Sequence, residues 1–162
     1  FSYAENLIEE IIDRYDGGSP KTVYYIKQVG DEKELVIIKK YYENGELKSQ
    51  EKRKSGKEFE TLWYYENGQI AAKGNYLGAV RVGAWTHYYE NGEIRTKGSY
   101  SYKTDTGYVS PREGIWTEYY ENGQIKEEAS FKNGKPEGGW TYYNKDGSVE
   151  KKEIYKNGVM ER

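Results

Sequence analysis

Three kinds of residue in this chain of 162 could act on another molecule: a single histidine, a close carboxylate pair and a wealth of aromatic rings. A general base needs a nucleophile to serve and a group to orient it. His87, the lone histidine, recurs at a position otherwise held by Lys40, Trp63, Glu118 and Tyr142, so it reads as a surface residue rather than a base. Glu118 and Glu127 fall opposite each other by the strand count below, an arrangement suited to acid/base work or cation binding. The equivalent pairs, His87–Thr96 and Tyr142–Lys151, share none of that chemistry, so a solvated rim is expected there. With no cysteine, thiolate nucleophiles, disulfides and thiolate metal sites are excluded. The glycines recur with turns and do not form a phosphate-cradling loop between a strand and a helix. No catalytic, cofactor or metal site is expected, and the chain reads as a non-enzyme.

The rings remain. With 19 Tyr, 4 Trp and 3 Phe, the chain is rich in side chains that offer large contact area at small entropy cost and dominate interaction hot spots. Tyr64, Tyr88, Tyr119 and Tyr143 occupy one recurring position, and Tyr102 and Tyr108 lie in the longest interruption of the pattern. These six are the candidate partner-binding residues. Trp85, Trp116 and Trp140, which share another recurring position, are expected to be core.

What positions them is a repeat. Tyr119-Tyr120-Glu121-Asn122-Gly123 also stands at Tyr41–Gly45, Tyr64–Gly68 and Tyr88–Gly92, with a relaxed copy at Tyr143–Gly147. The turn glycines are 23, 24, 31 and 24 residues apart, the spacing of a repeat array. Asn-Gly between apolar runs predicts two-residue type I′ hairpins. Seven residues before each turn glycine stand Ile38, Thr61, Trp85, Trp116 and Trp140, and nine before it stand Gly83, Gly114 and Gly138 in the last three units. Six after it come Gly74, Gly98 and Ala129, and eight after it Tyr76, Tyr100, Phe131 and Tyr155. A two-residue loop sets Trp116 opposite Ala129, Trp85 opposite Gly98, Tyr120 opposite Ile125 and Tyr89 opposite Ile94. Each indole then has a near-naked neighbour whose backbone it can cover.

Before the array, Ser2-Tyr3-Ala4-Glu5 reads as a capping box and Leu7, Ile8, Ile11, Ile12 and Tyr15 follow at helical spacing, stopped by Gly17-Gly18. The chain therefore divides into an amphipathic capping helix over 1–19 and a hairpin array of about five to six units over 20–162. Val23–Val29 and Leu35–Tyr42 open the array around Gly30-Asp31, and a long inter-repeat loop spans 102–112. The fold class is mainly β: one elongated antiparallel sheet of successive hairpins with a short N-terminal helix.

Bulk properties agree. Only 35% of residues are hydrophobic, and 19 of those are tyrosine, too little for a thick aliphatic core. The formal charge of −2 is scattered without a basic stripe, which argues against nucleic acid. No run approaches the ~20 apolar residues of a membrane helix. The chain begins at Phe1; a cleaved signal peptide or a trimmed upstream segment would each leave that start, and secretion or the cell envelope is preferred to the cytoplasm.

Phe131-Lys132-Asn133-Gly134-Lys135-Pro136-Glu137-Gly138-Gly139-Trp140, followed by Tyr142-Tyr143, resembles a MORN repeat, in the variant form common in bacteria. Gly83-Ala84-Trp85 and Gly114-Ile115-Trp116 match its later part; the resemblance covers 64–162 well and 35–63 loosely. It implies a twisted antiparallel sheet of hairpins and a scaffolding role between proteins; bacterial members often carry the label of antitoxin component. The aromatic repeats are also similar to those of choline- and glucan-binding surface proteins, although the second Trp of such cages is missing here. A protein partner is therefore expected, with a glycan or cell-wall polymer as one alternative, toxin neutralisation as the other that the label implies, and no membrane insertion.

Overall fold

The structure, a computed structural model, describes residues 6–54, 56–102 and 110–161. Thirteen strands run in chain order: β1 (Leu7–Arg14), β2 (Pro20–Val29), β3 (Glu32–Tyr41), β4 (Leu47–Arg53), β5 (Glu58–Tyr64), β6 (Ile70–Leu77), β7 (Val80–Tyr88), β8 (Ile94–Tyr100), β9 (Arg112–Tyr119), β10 (Ile125–Lys132), β11 (Lys135–Tyr143), β12 (Val149–Lys156) and β13 (Val159–Met160). They form a single antiparallel sheet in which every strand pairs only with its chain neighbours, so the sheet is open. Its 10707 Å2 of accessible surface exceeds the roughly 8,300 Å2 of a compact monomer of its mass, as an extended sheet requires.

The five-residue turns are not type I′. The Tyr120 amide bonds the Gln124 carbonyl at 2.8 Å and the Gly123 amide bonds the Tyr120 carbonyl at 2.9 Å. Gly123 has φ +81°, while Asn122 stays out of the left-handed region. This is a type I turn closed by a left-handed glycine, and the next strand absorbs one extra residue as a bulge. Tyr119 therefore pairs with Ile125 and Glu118 with Glu127, leaving Lys126 over. The bulge corrects two expected pairs: Ile125 faces Tyr119 rather than Tyr120, and Ile94 faces Tyr88 rather than Tyr89. It also restores the count beyond, so Trp116–Ala129, Trp85–Gly98, His87–Thr96 and Tyr142–Lys151 pair as expected. Asn side chains favour the type I form: Oδ1 of Asn44, Asn67, Asn91 and Asn122 each accepts the amide two residues on. True type I′ geometry occurs at the link turns, where Asn133 and Asn157 have φ 54° and 52°.

The N-terminal capping helix expected over 1–19 is not formed among the described residues. Leu7–Arg14 is a strand of the same sheet, with Ile11 opposite Val23 and Glu10 opposite Tyr24. The capping box at 2–5 lies outside the described residues. Leu7, Ile8, Ile11 and Ile12 fit a helical face and a two-faced strand equally, and three β-branched isoleucines beside a waiting sheet edge favour the strand. The decisive signal was Tyr15-Asp16-Gly17-Gly18, a worn copy of the repeat turn. The Gly18 amide bonds the Tyr15 carbonyl at 2.8 Å, and Ile11 stands seven residues before Gly18, in the tryptophan column.

Candidate functional site

The tryptophan face is built by a bulge of three residues against one. Lys73 pairs with Thr86 and Asn75 with Val82, leaving Gly74 opposite Gly83-Ala84-Trp85. The same occurs at Gly98 against Gly114-Ile115-Trp116. Gly83, Gly114 and Gly138 take φ +63°, +70° and +84°, a conformation that would strain any side chain. Each swollen strand throws its indole backwards across the sheet. A Cβ on Gly74 would fall inside the Trp85 ring, and one on Gly98 inside the Trp116 ring. The cover thus runs to the glycine of the preceding strand, not to the partner within the indole's own hairpin. The indole N–H groups of Trp85, Trp116 and Trp140 donate to the carbonyls of Asn75, Ser99 and Ser130 at 3.2, 3.1 and 3.2 Å. Trp85 and Trp116 are 1% and 3% exposed, which makes them core as expected.

Around them runs an aromatic ladder. Ring centroids lie 5.2 Å apart for Phe59–Tyr76, 5.1 Å for Tyr76–Trp85, 6.3 Å for Trp85–Tyr100 and 4.9 Å for Tyr100–Trp116. Phe131–Trp140 at 5.5 Å and Trp140–Tyr155 at 4.8 Å continue it. Guanidinium groups lie on the ladder: Arg53 5.0 Å from Phe59, Arg81 4.8 Å from Trp85 and Arg112 4.4 Å from Trp116. Sequence reasoning missed these arginines, though Arg81 and Arg112 each stand four residues before a tryptophan.

Beside the ladder, His87 is half-buried and stacks near Trp85 at 6.0 Å. Burial, then the charges of Arg81, Arg95 and Arg112, hold its pKa below the ordinary value. Glu118 pairs with Lys126 at 2.7 Å. Burial, then the adjacent Glu118, pushes the Glu127 carboxyl up. Among the described residues no group of three or more His, Asp or Glu side chains is arranged to hold a metal ion.

The two tyrosines of each repeated pair do different work. The second one is committed: the hydroxyls of Tyr42, Tyr65, Tyr89 and Tyr120 donate to the carbonyls of Tyr64, Tyr88, Tyr119 and Tyr143 at 2.7–2.8 Å, and Tyr15 donates to Tyr41. Each unit is thereby tied to the next, and the amides of Asn67, Asn91 and Asn122 add bonds to the carbonyls of the following turn. The first tyrosine of each pair projects from the face opposite the indoles, by strand alternation. Tyr64, Tyr88, Tyr119 and Tyr143 are all half-buried. Lys73 lies 5.7 Å from the Tyr88 ring and Lys97 5.3 Å from Tyr119. The Tyr143 hydroxyl donates to Glu128 at 2.9 Å, whereas those of Tyr64, Tyr88 and Tyr119 meet no hydrogen-bonding partner among the described residues. Tyr102 is exposed beside a cleft lined by Lys57, Leu77, Gly78 and Ala79, away from that row. Tyr108, with most of the 102–112 loop, lies outside the described residues.

These features define a class: an open array of β-hairpins, four of whose repeat turns carry Asn-Gly, with a Gly-x-Trp bulge in the later units. The family model of the MORN repeat variant matches residues 36–54, 57–77, 81–102 and 112–133, a little over half of the chain, and the chain belongs to that family. Repeats of this family are generally associated with binding of proteins or membrane lipids. No curated protein matches the chain. Among solved structures it is similar to a point mutant of S. aureus TarM in complex with fondaparinux, alpha-GlcNAc-glycerol and UDP, at 13% identity over 82% of this chain and 21% of that one, with a TM-score of 0.33. A second TarM structure gives 12% identity, 80% and 22% coverage and a TM-score of 0.32. A Bacteroides fragilis protein of unknown function gives 10% identity, 96% coverage of both chains and a TM-score of 0.22. The chain spans about a fifth of the length of the TarM chains it matches. Among the described residues no helix is long and apolar enough to cross a membrane.

Proposed function

We propose that the array is a non-catalytic interaction module that docks another protein on the tyrosine row of Tyr64, Tyr88, Tyr119 and Tyr143. The observation that carries this reading is the division of labour within each tyrosine pair. One hydroxyl is spent on tying the units together, while three of the four outer hydroxyls have no partner among the described residues. The outer rings recur every second strand, about 10 Å apart, on a backbone fixed on both sides. Rigid rings with unused donors suit a protein surface of mixed polarity. The family association with binding supports the same reading. The non-catalytic part rests on His87, which bonds no hydroxyl or carboxylate among the described residues.

The test uses the full chain as bait, identifies a protein it retains, and repeats the binding with both components purified. Tyr64→Ala/Tyr88→Ala/Tyr119→Ala should weaken that complex by about tenfold or more, as loss of hot-spot rings does, with the Tm nearly unchanged. An unaltered affinity overturns the assignment of the row. Retention on cell-wall polysaccharide, lost in the same variant, would replace the protein partner with a glycan.

A further inference from the structure

We propose that the tryptophan face carries a second recognition site, separate from the tyrosine row: the guanidinium groups of Arg53, Arg81 and Arg112 take an extended acidic segment of a partner protein. Arginine is scarce in this chain, six residues among 25 basic ones, and three of the six lie on the aromatic ladder. All three stand at one edge of the sheet, Arg53 ending β4, Arg81 second in β7 and Arg112 opening β9. Lys54, Lys57, Lys132 and Lys135 flank that edge beside Glu58, Glu113 and Glu137, whereas the turns of the opposite edge present Glu43, Glu66, Glu90 and Glu121 with Lys145 in the last. The carboxylates of Glu113 and Glu137 accept the amides of Asn133 and Asn157.

No carboxylate among the described residues forms an ion pair with this row, although the charge of Arg112 reaches Glu127. Every ion pair among the described residues goes to lysine: Asp13 to Lys21, Glu10 to Lys33, Glu118 to Lys126 and Glu153 to Lys151. Arg81 donates to the Tyr100 hydroxyl at 3.2 Å and lies between the rings of Trp85 and Tyr100; Arg112 lies between those of Trp116 and Phe131. A guanidinium stacked on a ring that is itself bonded to the backbone has lost most of its rotamer freedom beforehand. Arg81 spends donors on the hydroxyls of Tyr76 and Tyr100, whereas Arg112 meets no hydrogen-bonding partner among the described residues. The remaining in-plane donors of the pair fit a carboxylate, at Arg112 through two parallel bonds.

Spacing narrows the occupant. Arg81 and Arg112 are two strands apart, about 10 Å, with Arg53 about 14 Å further at strand spacing. A polyproline-II segment returns to the same face every third residue, about 9 Å along its axis. Acidic residues three apart therefore meet Arg81 and Arg112 in turn, over a floor of aromatic rings of the kind that accepts such segments. A broad anionic surface would also meet the glutamate edge and a net charge of −2. A single extended segment follows the row without reaching that edge.

Fluorescence anisotropy of a labelled peptide of four Glu-Pro-Pro repeats tests this with the full chain. The peptide should bind, release as salt rises from about 0.05 to about 0.5 M, and bind about tenfold more weakly to Arg81→Lys/Arg112→Lys, which keeps the charges and loses the forks. Arg81→Gln and Arg112→Gln, taken singly, should each weaken binding about threefold or more, which covers the case in which the double variant fails to fold. The site is overturned if nothing binds at about 1 mM peptide, if folded lysine or glutamine variants bind equally well, or if a Lys-Pro-Pro peptide binds as tightly. Preference for phosphatidylglycerol vesicles over the peptide overturns it in favour of a lipid surface. Self-association at rising concentration that the arginine variants abolish overturns it in favour of a second copy. None of these outcomes touches the tyrosine row, whose variant should bind the peptide normally.

Discussion

Two stretches of one row across the sheet solve the same problem differently. From Gly74 to Trp140 the row reads Gly74, Trp85, Gly98, Trp116, Ala129, Trp140, large rings alternating with bare backbone. Towards the other end it reads Tyr24, Ile38, Glu51, Thr61. There the buried side chains of the row, Ile38 and Thr61, are smaller than an indole, and the Thr61 hydroxyl lies buried with no hydrogen-bonding partner among the described residues. The hydroxyl relay of the second tyrosines nonetheless passes through both stretches, from Tyr15 to Tyr120, with nearly the same bond lengths. The relay and the turns therefore set the register, and the indole–glycine couples add cover where they exist.

The largest effect expected separates the two stretches directly. Trp116→Ala removes a ring that is 3% exposed and should cost about 3–5 kcal/mol in chemical denaturation. Ile11→Ala, in the same column but 39% exposed at the sheet edge, should cost less than about 1 kcal/mol. Equal costs would abolish the distinction. Gly98→Ala sharpens it: the new methyl collides with the Trp116 indole and should cost about 1–3 kcal/mol. In the Trp116→Ala background that penalty should largely vanish, a coupling of about 1 kcal/mol or more that a double-mutant cycle reads out. Additive costs would mean the ring does not rest on Gly98.

Much of this frame was legible in the residues. The Asn-Gly period gave the hairpins, and counting from the turn glycine paired Trp116 with Ala129 and Trp85 with Gly98. Two features hid behind it. Residues 7–14 carry apolar spacing that a helix and a two-faced strand share; the worn turn at Tyr15–Gly18 and the free edge beside β2 together decide for the strand. The direction of the indoles depends on left-handed backbone at Gly83 and Gly114, which a residue count cannot supply. On the candidate site, the outer tyrosines could be found as a column, but which hydroxyl of each pair is spent depends on reach to the next unit and so needs coordinates. The arginines went unnoticed because unpaired guanidinium groups are recognised only when nearby carboxylates are seen to point elsewhere.

A smaller effect tests whether the relay is common to both stretches. Tyr89→Phe deletes the bond to the Tyr119 carbonyl, and Tyr42→Phe the bond to Tyr64; each should cost about 1 kcal/mol. Tyr88→Phe removes a hydroxyl with no partner among the described residues and should stay within about 0.5 kcal/mol. A relay that matters only in the tryptophan-bearing units would show Tyr89→Phe destabilising and Tyr42→Phe neutral. That result would transfer the setting of register from the tyrosines to the indoles.

The smallest effect is a pH dependence confined to the indole stretch, since the column of His87 holds Lys40 and Trp63 in the earlier units. The folded-state pKa of His87 is lowered from the ordinary 6.5, first by burial and then by Arg81, Arg95 and Arg112. Above 6.5 the imidazole is neutral folded or unfolded and contributes no slope. As pH falls below 6.5 the unfolded chain takes up the proton first, so stability declines until the lowered folded pKa is passed. Glu127 acts in the opposite sense: its raised folded pKa makes the ionised form a burden, which is relieved as pH falls through that pKa towards 4.5. Melting temperatures measured across this range should therefore dip below pH 6.5 in the parent chain, and His87→Gln should flatten the dip while leaving the recovery due to Glu127. Arg112→Gln should make the dip shallower by removing one of the charges that oppose protonation. An unchanged dip in both variants would mean that the guanidinium row does not project its charge across the tryptophan face, and the electrostatic part of the acidic-segment site would fall with it.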